Sequence, residues 1–442
     1  MGGDGADGAA GDPARGDDAG PAAQAAAVMN RKIESRPLAF GMDRQYPVTG
    51  MIAKGDGSER SSERSSARST TNEPRAKRLV AVDLLRGLVM VLMAVDHSSG
   101  VFNRGRVMLD GAFSWHAGTP LPAAQFLTRW MTHVCAPTFV FLAGTSLALS
   151  TAHRLRKGES HASIDRHLLL RGAFIASAEL VPSLFWMPRG RYLLQVLYAI
   201  GSSYLFMIPL RRLPSAFLAA FAVIVLVFAE GVVHSAGWGP PDATPVIASL
   251  LLVPGSHGRF FVAYPTLYWL ALMLLGFVFG RWLDRRPDTA HVRRLLLGSA
   301  GLLLALFAVV RGANGYGNMA VLRDGPAVVQ WLHVSKYPPS LSFVALELGI
   351  AAFVLSCLFA LERPESSAVA RFLIVFGRTP MFFYLLHIPL LALTAWALGV
   401  QGTLGLGAAY GFAGLAVLVL YPACRWYGGY RVAHPAGIAR YV

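Results

Sequence analysis

From Leu79 onward, long apolar stretches alternate with short polar connectors, and the pattern predicts ten membrane-crossing helices. They cover roughly 79–98, 126–150, 167–187, 192–210, 215–234, 260–282, 294–311, 337–360, 379–398 and 404–424. Each comes close to the run of about 20 residues that a helix needs to cross the hydrocarbon core of a bilayer. Lipid offers no partner to an open backbone amide or carbonyl, so the expected fold class is all-α, a polytopic membrane helix bundle. The segment 366–378 reads as a short interfacial helix that ends at "GRTP", where Pro380 suits the first turn of the next helix.

Before Leu79 the pattern disappears. Residues 1–78 are rich in Gly, Ala, Asp, Ser and Arg, and "SERSSERSSARSTTNEPRAKR" has almost no apolar content. Such composition predicts a disordered cytoplasmic tail ahead of a membrane domain at 79–442. The tail lacks the charged start and apolar core of a signal peptide, and "MGGDGA" lacks the Ser/Thr of a myristoylation site. Met29, Met42 and Met51 are alternative starts.

Composition agrees with a membrane chain: 54% of residues are hydrophobic and only 15% charged, with a mean hydropathy of +0.46, too apolar for an ordinary soluble domain. Residues 1–78 hold 12 basic and 11 acidic side chains, so nearly all of the net charge of +15 belongs to the membrane part, mostly in short loops. Alternating the spans from an inside N-terminus puts 19 Lys/Arg on the cytoplasmic side and eight outside, which predicts that both termini are cytoplasmic in a multi-pass cell-membrane protein. No basic stripe interleaved with aromatics suggests nucleic acid. Cys135, Cys357 and Cys424 are far apart with no CxxC, so neither a metal site nor a disulfide framework is expected.

Charges inside the apolar spans carry the chemistry, because each is costly unless it meets a polar interior. Arg86, Arg129, Arg171 and Arg378 fall within or beside the spans; Arg171 lies near a cytoplasmic end and Arg378 at the border of the ninth. In "RGLVMVLMAVDH" Arg86 and His97 are eleven residues apart. Eleven helical steps bring them to within roughly 20° of one face, about 16 Å apart along the axis, with Met90 and Met93 between. Asp83 and Arg86 suit an interfacial i,i+3 pair. Arg129 and His133 share a face of the second span, Pro137 is expected to bend it, and Gly144, Thr145 and Ser146 permit close helix contact.

Lys336 and Tyr337 of "SKYPPS" sit at the outer mouth of the eighth span; Tyr337 reads as an interfacial anchor, and Lys336 as either a second anchor or a holder of an anionic group. Tyr384 and His387 are i,i+3 partners in the ninth. Glu179 and Glu347 lie mid-span and must be neutral or paired. Glycines in "GWGPP", "GSHG" and "GANGYGN" predict flexible outer loops, and none forms a phosphate-binding motif.

These motifs, "VDLLRGLVMVLMAVDH", "FLTRWMTHVCAPTFVFLAGTS", "KYPPS", "GRTPMFFYLLHIPL" and the closing "YPACRWY", give residues 79–442 a resemblance to a bacterial membrane-protein branch of the heparan-alpha-glucosaminide N-acetyltransferase catalytic-domain family. The Arg86-to-His97 spacing is also distantly similar to the Arg-x10-His pattern of acyltransferase-3 membrane enzymes. Both resemblances imply an acyl donor such as acetyl-CoA on the cytoplasmic side, a sugar acceptor outside and a passage between them, with no tightly bound cofactor. Lysosomal members carry a His-Ala-x-Trp-Asn-Gly motif whose histidine is thought to hold the acetyl group. Here "WHAGTP" keeps His116-Ala117 but not the Trp-Asn, and Asp96-His97 is more basic than its counterpart, so His97 is the favoured base.

On this reading His97 takes the acceptor's proton or briefly holds the acyl group, and Asp96 orients its imidazole. His116 is a further catalytic candidate. Arg86 meets donor phosphates. Arg129, His133 and Lys336, with Tyr384 and His387, shape the acceptor pocket and stabilise developing charge. The alternatives are a transporter or lipid-handling protein that uses the same polar face as a pathway, and a non-catalytic membrane scaffold.

Overall fold

The computed structural model describes residues 62–434 apart from 112, 188–189, 239–240, 286–287 and 362–363. Of the tail expected at 1–78, residues 1–61 lie outside the described residues, as do both termini with their expected cytoplasmic placement, while residues 62–78 form the start of α1. The chain is helical: α1 (Ser62–Phe102), α2 (Ala123–Met131), α3 (Cys135–Arg156), α4 (His161–Ala178), α5 (Leu180–Trp186), α6 (Val196–Leu210) and α7 (Ser215–Ser235) come first. After them come α8 (Val246–Leu251), α9 (Thr266–Arg285), α10 (Thr289–Ala313), α11 (Val328–Leu332), α12 (Leu341–Ala360), α13 (Ala368–Arg378), α14 (Pro380–Leu398) and α15 (Leu406–Ala433). Three strands of three residues each, β1 (Tyr192–Leu194), β2 (Gly255–His257) and β3 (Phe260–Val262), form a small sheet in the order β1-β3-β2.

Among the described residues, eight stretches are long and apolar enough to cross a bilayer, which makes this a polytopic membrane protein. Each coincides with one of the expected spans. The two other expected crossings fall on α1, where Asp83, Arg86 and Asp96 interrupt the apolar run, and on α6, whose 15 residues extend only about 22 Å. The expected span beginning at 260 starts later, because Phe260–Val262 pairs in parallel with β1 and antiparallel with β2 before α9 begins at Thr266. The loop expected to be flexible at "GSHG" is therefore a hairpin, with Gly258 supplying the positive φ of 56° at its turn.

Two expected spans are broken for identifiable reasons. Pro137 cannot donate to the carbonyl one turn back, and instead of a bend the helix stops at Met131 and restarts at Cys135. Between α4 and α5 the break falls at Glu179, ahead of Pro182, and the Glu179 carboxylate accepts from the amides of Leu197 (2.7 Å) and Tyr198 (3.1 Å). A mid-span acid thus caps the open first turn of α6. "GANGYGN", expected to be flexible, is tied down: Glu230 accepts from the amides of Gly317 and Met319, and fully buried Arg311 donates to Asn318, Val321, Gln330 and Trp331.

Helices α3 and α9 pack at backbone distance. A Cβ on Gly144 would stand 2.0 Å from the Met273 carbonyl oxygen, and one on Gly276 would stand 1.9 Å from that of Phe141. Backbone meets backbone here, and the Thr145 hydroxyl donates across to the Gly276 carbonyl at 3.1 Å. Small residues serve this purpose in lipid, where dispersion and interhelical hydrogen bonds must hold helices without a hydrophobic drive. Gly144→Val should therefore cost roughly 3 kcal/mol or more, lowering the thermal midpoint of the detergent-solubilised protein. Gly298→Ala, with nothing within 4 Å of the added carbon, should leave the midpoint unchanged or raise it slightly.

Candidate active site

Near the C-terminal end of α1, Asp96 and His97 are held in a lattice of charge. Arg129 on α2 donates to both Asp96 oxygens (2.7 and 2.9 Å), to Asp110 (2.8 Å) and to the Tyr337 hydroxyl (3.3 Å). Arg106 also pairs with Asp96 at 3.0 Å, and the Thr132 hydroxyl adds a bond of 3.1 Å. Arg129 is only 5% exposed, and two carboxylates are what make such burial tolerable. Asp110 lies in the connector between α1 and α2. Burial by itself would raise its carboxyl; Arg129 and the hydrogen bond from His133 instead hold it well below the usual carboxylate range.

The hydrogen-bond chain behind His97 fixes the tautomers. Nδ1 of His387 lies 3.0 Å from the Phe383 carbonyl, which can only accept, so Nδ1 carries the hydrogen and Nε2 of the neutral ring is a lone pair. That Nε2 lies 2.6 Å from Nδ1 of His97, which must therefore be the donor. Nε2 of His97 is left as an acceptor, 3.9 Å from the nearer Asp96 oxygen. The ring that orients His97 is thus His387, stacked on it at 4.9 Å, while Asp96 is engaged with two arginines.

His97 lines a cavity of about 270 Å³ together with Asp96, Arg106, Arg129 and Lys336. Trp186, Tyr264, Tyr337 and Tyr384 form its aromatic wall, and the buried Trp186 indole N–H has no partner among the described residues. Lys336 is 4% exposed and sits 5.5 Å from the Tyr337 ring centre. A second cavity, of about 340 Å³, surrounds Arg86 with Arg171, Arg378 and Arg431 in its wall. Arg86 is steadied there by Asp83 (3.2 Å), the Gly377 carbonyl (3.0 Å) and Ser146 (2.7 Å). Tyr384, 2% exposed, lines both cavities.

Residues 78–308 match the family described as "Heparan-alpha-glucosaminide N-acetyltransferase, catalytic". The chain belongs to this acyltransferase family. No curated protein matches it. The family match contains Arg86, Asp96, His97, Asp110, His116, Arg129 and His133, whereas Lys336, Tyr384 and His387 lie beyond it and join the site through the fold.

Of the residues singled out in the sequence, Asp96, His97, Arg129, Lys336 and Tyr384 share one cavity, and Arg86 occupies the other. His387 and His133 sit behind the lining, the first bonded to His97 and the second 3.1 Å from Asp110. His116 is exposed in the connector before α2 and lines neither cavity. Tyr337, expected as an interfacial anchor, is part of the cavity wall. Sequence reasoning missed Arg106 and Asp110. The available signal was that Asp110 is the sole acidic residue between 98 and 122, facing a second span that begins with an intramembrane arginine.

Asp110→Asn should cost about 3 kcal/mol near neutral pH by leaving Arg129 with half its counter-charge. Because the native carboxyl titrates below its unfolded value of about 3.9, its stabilisation is full above that value and fades as pH falls through the native one. The gap between wild-type and variant melting curves should therefore be constant from neutral pH down to about 4 and close only below that.

Proposed function

We propose that the protein is an integral-membrane acyltransferase that moves an acyl group, most simply acetyl, from a cytoplasmic CoA-type donor to a hydroxyl or amine of an extracytoplasmic sugar. The observation that carries this reading is the meeting of two polar cavities at one side chain, Tyr384, with an imidazole lone pair in one and a cluster of arginines in the other. Taking α1 and α6 as crossings too gives the expected ten, and the expected cytoplasmic termini then put Arg86 on the side with the larger share of basic loops.

Arginines suit the phosphates of a CoA-type donor, because the planar guanidinium matches phosphate oxygens two at a time. Aromatic faces beside convergent polar groups suit a sugar, whose ring presents C–H bonds on its faces and hydroxyls at its edge. Nε2 of His97 removes the proton of the acceptor hydroxyl or amine as that atom attacks the acyl carbonyl carbon. The thioester C–S bond breaks, and the CoA sulfur leaves and takes up the proton. Asp96 lies close enough to steady the imidazolium while it exists, and Lys336 faces the cavity as a cation for the oxyanion that forms on the carbonyl oxygen.

Mass spectrometry of envelope glycans and lipids from cells with the intact gene, without it, and with His97→Ala tests the reading. Acylated species should be present only with the intact gene, and His97→Ala should lower transfer about a hundredfold or more while the protein remains inserted. Unchanged glycans together with transmembrane movement of an unmodified solute would replace the enzyme with a transporter.

A further inference from the structure

A third cavity, of about 480 Å³, opens on the same side of the bundle as Arg86, where the α3–α4 and α6–α7 connectors meet the end of α9. Its rim carries Arg211, Arg212, Arg281 and Arg285, and Thr151 stands in its wall. Charge here is not balanced among the described residues. Asp165 alone serves Arg211 and Arg212, while Asp284 is paired with Arg156 at 2.6 Å. Arg281 donates to uncharged groups, the carbonyls of Leu213 and Arg211, and lies 4.6 Å from the centre of the Phe277 ring. Neither Arg281 nor Arg285 has a carboxylate partner among the described residues.

Thr151 supplies the second, independent sign. It is 7% exposed, and its hydroxyl has no hydrogen-bond partner among the described residues. A helical threonine ordinarily returns its hydroxyl to the carbonyl one turn back. A buried donor with no described partner, beside Arg281 and Arg285 that no described carboxylate neutralises, is costly unless an anion with several acceptor oxygens completes it.

We propose that this cavity binds a phosphate-bearing ligand, either the headgroup phosphate of an anionic phospholipid or a soluble polyphosphate. Basic hollows between transmembrane helices on the cytoplasmic side are suited to anionic headgroups, and the arginine fork matches phosphate oxygens. The site is separate from the two cavities assigned to acyl transfer and does not depend on that reading.

The test uses the full chain in nanodiscs of phosphatidylcholine with or without phosphatidylglycerol, followed by native mass spectrometry of retained lipid. Inorganic pyrophosphate is titrated into the phosphatidylcholine sample in parallel. Arg212→Gln combined with Arg285→Gln removes two exposed charges without touching buried packing, Thr151→Val removes the hydroxyl at constant shape, and Arg371→Gln removes an exposed charge elsewhere. Phosphatidylglycerol retention should fall about tenfold or more in the double variant, fall measurably in Thr151→Val and hold in Arg371→Gln. The same pattern for pyrophosphate, with no phosphatidylglycerol retained, would support the site and identify its ligand as soluble. Binding of neither probe, or equal losses in Arg371→Gln, would overturn it.

Discussion

A charge removed from water must be met by an opposite charge or by a full set of acceptors, and in this protein the pairing of opposite charges converges on Arg129. Its guanidinium joins Asp96 of α1 to Asp110 of the following connector and reaches the Tyr337 hydroxyl from the segment before α12. Two neighbouring parts of the chain and one 208 residues away are thereby fixed around one hollow. The arrangement is also selective about what it leaves free. With Asp96 engaged by Arg106 and Arg129, the imidazole of His97 takes its orientation from His387, and its outer nitrogen remains unprotonated and open to the cavity.

The consequence for function lies in the division of space. Arg86 and His97 face the same way on α1, yet each belongs to a different cavity, and the cavities meet at Tyr384 on α14. Packing makes that division sharp. The α3–α9 contact is closed to backbone distance by Gly144 and Gly276, and α13 presses on α1 where a Cβ on Gly377 would stand 1.8 Å from the Asp83 carbonyl oxygen. Helices that approach so closely cannot readily breathe, so the proposed transfer has to run past the side chains between the cavities, Tyr384 foremost.

Much of this was legible in the sequence because helices in lipid announce themselves by length and apolarity, and because an intramembrane charge cannot be incidental. The α13 helix, Pro380 at the start of α14 and the small residues of α3 follow from such rules. What escaped was relational. His387 could be placed in a span, but its bond to His97 crosses 290 residues. Asp110 and Arg106 sit in an irregular connector, where no periodicity marks the side that faces inward. Glu179 illustrates the same limit: its need for a partner was evident, while the partner, two open amides of the next helix, depended on a helix break that only the packed structure shows.

The most direct test of the central claim is sidedness in sealed proteoliposomes of uniform orientation, with acyl-CoA supplied only on the Arg86 side and a sugar acceptor only on the His97 side. Acylated sugar should accumulate in the acceptor compartment while CoA remains with the donor. Product that forms only when donor and acceptor share a compartment would contradict transfer across the membrane.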